Sequence, residues 1–137
     1  MLDQTFGQVY TKFKLHFYKQ IFNRFEDREA TLTTVESFCM EVIMALGEPT
    51  IAQFSHMMNL STPNAAYKIN SLVKKGYVER SRGLEDRRVV YISLSERGRK
   101  AYGHHARFHR EMIESLTSDL SEDEMQTLVK ALMKLNQ

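Results

Sequence analysis

Helix-breaking residues are scarce in this chain. Only two prolines and six glycines interrupt its 137 residues, and these are the residues that stop a helix, so helix is expected to dominate. Long apolar runs are missing as well; none approaches the roughly 18 residues that a membrane-spanning helix needs. Met1-Leu2-Asp3-Gln4 has neither the basic start nor the apolar stretch of a secretory signal. A single cysteine, Cys39, excludes an internal disulfide. These absences predict a cytoplasmic protein with no membrane partner. A large excess of one charge is absent too, the formal net charge being +2. With 42% hydrophobic and 26% charged residues, the composition is that of one globular domain over residues 1–137.

The charge is unevenly spread. Residues 61–100 hold ten Lys/Arg (Lys68, Lys74, Lys75, Arg80, Arg82, Arg87, Arg88, Arg97, Arg99, Lys100) against four acids, while the remainder holds nine against thirteen. A basic middle on an acidic frame is the footprint of a DNA-binding face. The plain alternative is a solvated, charge-rich surface.

Apolar spacing predicts six helices and a hairpin. A first helix over residues 3–27 carries Phe6, Val9, Tyr10, Phe13, Phe17 and Ile21 on one stripe. Thr33 and Glu36 form a capping box for a second helix, whose inner stripe is expected to be Val35, Phe38, Cys39, Val42, Ile43 and Leu46. Thr50 opens a short third helix that stops at Asn59. For the fourth, Thr62 fits the N-cap and Pro63 the first helical position. Its inner side is Ala65, Ile69, Leu72 and Val73; Asn64, Tyr67, Lys68, Ser71 and Lys75 face outward. Two strands, Tyr77–Arg82 and Arg88–Leu94, flank a polar tip at Gly83-Leu84-Glu85-Asp86-Arg87. Ser95 caps a fifth helix and Ser121 a sixth; both are long and amphipathic, and with the first they suit a helical bundle formed between subunits.

Helix, tight turn, helix and basic hairpin make a winged helix-turn-helix, so the fold class is mainly α with a small β wing. The second helix of the pair is narrow enough for the major groove, and its N-terminal residues reach the bases first. Here these are Ser61, Thr62, Asn64 and Ala65, followed by Tyr67 and Lys68. An arginine on the hairpin can enter a narrow minor groove. Arg88 is placed for that, Asp86 lies two residues before it to orient its guanidinium, and Arg80, Arg82, Arg87 and Lys74 would serve phosphates.

Four stretches then resemble the MarR family of bacterial regulators: Thr50-Ile51-Ala52-Gln53-Phe54-Ser55, Leu72-Val73-Lys74-Lys75-Gly76-Tyr77-Val78-Glu79-Arg80, Asp86-Arg87-Arg88 and Leu94-Ser95-Glu96-Arg97-Gly98. The flanking helices fit too, so nearly the whole chain is covered. The resemblance implies a homodimeric, sequence-specific repressor released by a small-molecule effector, with no catalytic activity. It implies a DNA-binding lobe at residues 30–98 and a dimerisation region made of 1–27 and 99–137. Arg88 matches the family's wing arginine and Asp86 its orienting acid. A two-fold dimer implies an inverted-repeat operator in double-stranded DNA with half-sites about one helical turn apart. Arg107-Phe108-His109 with Met112, then Ser121-Glu122-Asp123-Glu124, are further similar to the tail of Gram-positive regulators of fatty-acid synthesis genes, although the first helix does not match them.

Other features have plainer readings. His105 and His109 lie four apart, as in zinc-sensing relatives, but no third or fourth ligand is nominated and both sit in an apolar stripe; packing is the default and no metal or cofactor is expected. Cys39 lies on the second helix, away from the sensing cysteine of peroxide-responsive relatives, and reads as a small buried hydrophobe. The family's ligand pocket lies between the dimer helices and the DNA-binding lobe; Phe13, Phe17, Phe38, Val42 and Met112 would border it and suit an apolar or acyl effector. An enzyme is the rival class, yet there is no phosphate loop, nucleophile elbow or framed carboxylate pair. A protein-interaction module is another rival, but it has no need of Arg80, Arg82, Arg87 and Arg88 on one hairpin.

Overall fold

A computed structural model describes the backbone of residues 1–26, 31–102 and 105–137, and the side chains of these except 24–26, 102, 105 and 106. It divides into two compact units, Met1–Lys100 and Ala101–Gln137, taken here in turn.

The first unit runs α1 (Leu2–Glu26), α2 (Thr34–Leu46), α3 (Ile51–Met58), α4 (Thr62–Lys74), β1 (Val78–Arg82), β2 (Val90–Leu94) and most of α5 (Glu96–Tyr102). Its core collects Cys39, Met40 and Ile43 of α2, Phe54 of α3, Ala65, Ile69 and Leu72 of α4, and Val78, Ile92 and Leu94 of the hairpin, all buried. The strands pair antiparallel from Val78 opposite Leu94 to Arg82 opposite Val90. An isolated bridge between Thr50 and Tyr91, with the Ile92 amide donating to the Pro49 carbonyl at 2.9 Å, ties the hairpin to the start of α3.

One expectation needs correction. On α2 the buried face is Glu36, Ser37, Cys39, Met40 and Ile43; Val35, Phe38 and Leu46 are exposed. The helix is apolar on most of its circumference, so spacing alone did not select the face that packs. The α1 stripe, for which a second subunit is one candidate partner, is exposed at Phe6, Val9, Tyr10 and Phe13 and buried at Ile21.

The second unit holds α6 (His105–Thr117) and α7 (Glu122–Leu135). The expected single fifth helix is thus described as α5 and α6 on either side of residues 103–104, which lie outside the described residues. Ser121 and Glu124 cap α7 reciprocally, at 3.2 and 3.3 Å. No residue of α7 is buried. Ile113, Leu116, Val129, Leu132 and Met133 are exposed, an apolar surface that a water-soluble fold ordinarily covers.

Candidate nucleic-acid interface

The helix pair is set by its caps. Thr50 and Gln53 exchange hydrogen bonds at the start of α3, at 3.1 and 2.9 Å. Its far end stops at Asn59, which adopts the left-handed conformation (φ 52°, ψ 46°) that asparagine tolerates. The Leu60 amide donates back to the Ser55 carbonyl at 3.0 Å, and the Ser55 hydroxyl donates to the Leu60 carbonyl at 2.7 Å. The chain is thereby folded tightly into α4. The N-cap of α4 is Ser61, whose Oγ accepts from the Asn64 amide at 3.3 Å, with Thr62 and Pro63 following inside the helix. The expected cap at Thr62 is displaced by one residue. A proline costs nothing there either, because the first four amides of a helix have no intrahelical partner.

Ser61, Thr62, Asn64 and Tyr67 are exposed, Tyr67 at 73%, and Lys68 is half-buried. Ala65 is a correction: it is fully buried. Its methyl packs into the core, so it does not face a base. Lys74 is exposed on the last turn.

The wing is braced from within. The Gly83 amide donates to the Val89 carbonyl at 2.9 Å and the Val89 amide to the Asp86 carbonyl at 3.2 Å. Arg82 donates through Nη1 to the Arg87 carbonyl at 2.8 Å, so it tightens the loop rather than standing clear of it. Asp86 accepts from Arg88 three times: from its amide at 3.0 Å, Nε at 3.1 Å and Nη2 at 3.2 Å. This paired grip holds the Asp86 carboxyl below the usual carboxylate range. The Arg88 side chain is nonetheless 92% exposed: oriented on one edge and open on the rest. Arg80 and Arg87 are exposed on the same hairpin.

Other cations in the basic stretch are engaged within the fold. Arg97 donates to the Lys75 carbonyl at 2.7 Å and lies 4.4 Å above the Tyr77 ring. Arg99 donates to the Leu94 carbonyl at 2.7 Å. Lys75, expected to face outward, instead turns under α4 and donates to Glu36 Oε1 and to the Thr31 carbonyl, each at 2.8 Å. Composition counted these charges; their carbonyl and carboxylate partners were beyond its reach. The one local signal was the capping box that placed Glu36 at the start of α2.

Of the residues nominated for an effector, Phe17 and Phe38 meet at 5.9 Å between ring centres. Phe13 is exposed and Val42 half-buried, both in the first unit; Met112 belongs to the second. Cys39 is completely buried. Burial pushes its thiol up to about 11, against the pull of Lys68, so it is held as a neutral thiol with little nucleophilic character. His109 is exposed, while His104 and the His105 side chain lie outside the described residues.

The family of transcriptional regulators described as SarA/Rot matches residues 20–104. The chain belongs to this branch of the MarR family of winged helix-turn-helix regulators. The uncharacterized HTH-type transcriptional regulator YwhA of Bacillus subtilis is 31% identical over 106 residues, which cover 77% of this chain and 76% of that one. A crystal structure of Streptococcus pneumoniae FabT in complex with DNA is 27% identical, with a TM-score of 0.61 over 99% of this chain and 95% of that one. A mutant of Staphylococcus aureus MepR shares the fold, with a TM-score of 0.63 over 95% of this chain and 94% of that one at 18% identity. The chain is thus a DNA-binding transcription regulator of the MarR type, and family and fold are those of regulators rather than enzymes. Among the described residues, no helix is long and apolar enough to cross a membrane.

Proposed function

We propose that this MarR-type regulator acts in the cytoplasm as a homodimer on an inverted-repeat operator in duplex DNA. Ser61, Thr62, Asn64, Tyr67 and Lys68 read one major groove per subunit, Arg88 enters the flanking minor groove with Asp86 holding it, and Lys74, Arg80 and Arg87 meet phosphates. Arg82 contributes by shaping the wing. The observation that carries this reading is the pairing of an exposed α4 N-terminus with an arginine that is oriented yet open. Dimerisation through residues 1–27 and 99–137 is supported by the exposed apolar residues of α1, α6 and α7; the lobe at 30–98 carries the DNA contacts. Occupancy of a promoter would repress transcription.

Release follows if an apolar or acyl ligand favours a dimer whose recognition helices no longer match the groove spacing, which requires different affinity for two states. The Phe17–Phe38 contact, with Phe13 and Val42 near it in sequence, supports an apolar site. Titration calorimetry with fatty acyl ligands should register heat; its absence across a series of chain lengths removes the effector.

Selection from a pool of random duplexes at a stated salt concentration tests the main reading. An enriched inverted repeat, bound as two subunits, is the expected result. A folded protein that enriches no sequence would overturn it.

A further inference from the structure

The recognition helix is anchored at its C-terminal end by a polar cluster built on Ser71 and Lys75. Lys75 is the C-cap of α4. Its Nζ lies 2.8 Å from Glu36 Oε1 and 2.8 Å from the Thr31 carbonyl, on the main chain that leads into α2. The Ser71 hydroxyl, one turn earlier on α4, donates to the other Glu36 oxygen at 3.4 Å. Glu36 also closes the α2 capping box with Thr33 at 3.2 and 3.3 Å. The Glu36 side chain is 9% exposed and that of Lys75 29%, so the pair is largely shielded from the salt that weakens surface pairs.

We infer that Glu36 and Lys75 are positioning residues for operator recognition: they clamp the last turn of α4 to the first turn of α2 and so fix the angle at which α4 is presented to the groove. This rests on α4 being the recognition helix. One carboxylate joins the termini of both helices and the strand of chain before α2. Loss of either partner frees α4 to tilt about its remaining apolar contacts at Ala65, Ile69 and Leu72. A tilt that leaves a phosphate contact intact still misplaces the bidentate hydrogen bonds that distinguish bases. The clamp therefore acts on specificity more than on affinity for DNA in general.

The test uses the full chain with Glu36→Gln, Lys75→Gln, the double variant and Lys75→Arg. Affinities for the selected operator and for a random duplex are measured against salt, well below each variant's melting temperature. Both single variants should lower the operator-to-random ratio about tenfold, equivalent to about 1.4 kcal/mol, with the random-duplex affinity and the salt slope of Glu36→Gln unchanged. The double variant should be no worse than the singles, as for two ends of one interaction, and Lys75→Arg should recover most of the ratio. Amide exchange supplies a readout without DNA: protection of residues 71–76 and 34–37 should fall together in Glu36→Gln. An unchanged ratio overturns the inference. So does a Lys75→Gln variant that loses random-duplex affinity and salt slope while Glu36→Gln loses nothing, because Lys75 would then be a phosphate contact. Unaltered exchange in Glu36→Gln overturns it whatever the DNA results, whereas a wild-type chain that selects no operator defeats the proposed function alone.

Discussion

Arg88 illustrates how one exposed side chain is made ready to bind. An unbraced arginine loses up to about 2 kcal/mol of rotamer freedom when it is fixed. Asp86 has already restricted it through Nε and Nη2, and the Arg88 amide ties the carboxylate to the loop itself. Replacing Arg88 with alanine should weaken operator binding by about 1–3 kcal/mol, the range for a specific contact, and leave the melting temperature unchanged, as expected of a side chain 92% exposed. Equal operator affinity in the two proteins would remove Arg88 from the interface. The same loop gives Gly83 a defined role. A Cβ there would lie 2.7 Å from the Asp86 carbonyl oxygen, a backbone atom that can yield only if the turn opens. Gly83→Ala should therefore disturb the Asp86–Arg88 grip. A loss of operator affinity with thermal stability preserved is the expected result in paired binding and melting assays; intact binding would show that the loop absorbs the methyl.

Among the elements, the helices with caps were legible and the choice of buried face was not. The capping boxes of α2, α3 and α7 are present where Thr33, Thr50 and Ser121 announce them, because a cap is a contact between residues three apart. The α4 cap is Ser61 rather than Thr62: both hydroxyl residues stand side by side before Pro63, and Ser61 Oγ is the one that accepts from the Asn64 amide. The α2 face failed for a different reason: Ser37 and Met40 are buried while Val35 and Phe38 are not, and which side packs is decided by α3, α4 and the hairpin. Glu36 lay inside the cap motif, yet its bond to Lys75, 39 residues away, has no local trace. That bond predicts a pH dependence. Burial raises the Glu36 carboxyl, but donation from Lys75 and Thr33 outweighs it and holds the group below its ordinary value of 4.5. A lowered native value means that the stabilisation is fully present at neutral pH and is lost as pH falls through that value. Glu36→Gln should destabilise by about 1–3 kcal/mol at pH 7, the cost of leaving a shielded partner unmatched. Its deficit against wild type in denaturant unfolding should shrink as pH is lowered from 5 toward about 3. A deficit that is constant across this range would mean that the carboxylate charge is not what matters.

On the scale of the whole molecule, the basic surplus in residues 61–100 pointed toward DNA, but several of its cations are already engaged within the fold. Arg82, Arg97 and Arg99 donate to main-chain carbonyls, Lys75 donates to Glu36 and Lys100 pairs with Glu96, which leaves Lys74, Arg80, Arg87 and Arg88 as the proposed DNA-facing set, with Lys68 half-buried. Each phosphate contact releases condensed counterions and adds about 0.9 to the slope of log affinity against log salt. In a two-fold dimer every substitution is made twice, so Lys74→Ala should flatten the slope by about 2 per dimer and weaken operator and random duplex alike. Arg97→Gln removes the same formal charge from the same stretch. Its guanidinium is engaged by the Lys75 carbonyl and the Tyr77 ring, so it should lower stability and leave the slope where it was. Equal flattening by the two variants would mean that net charge, rather than the placement of individual cations, governs binding.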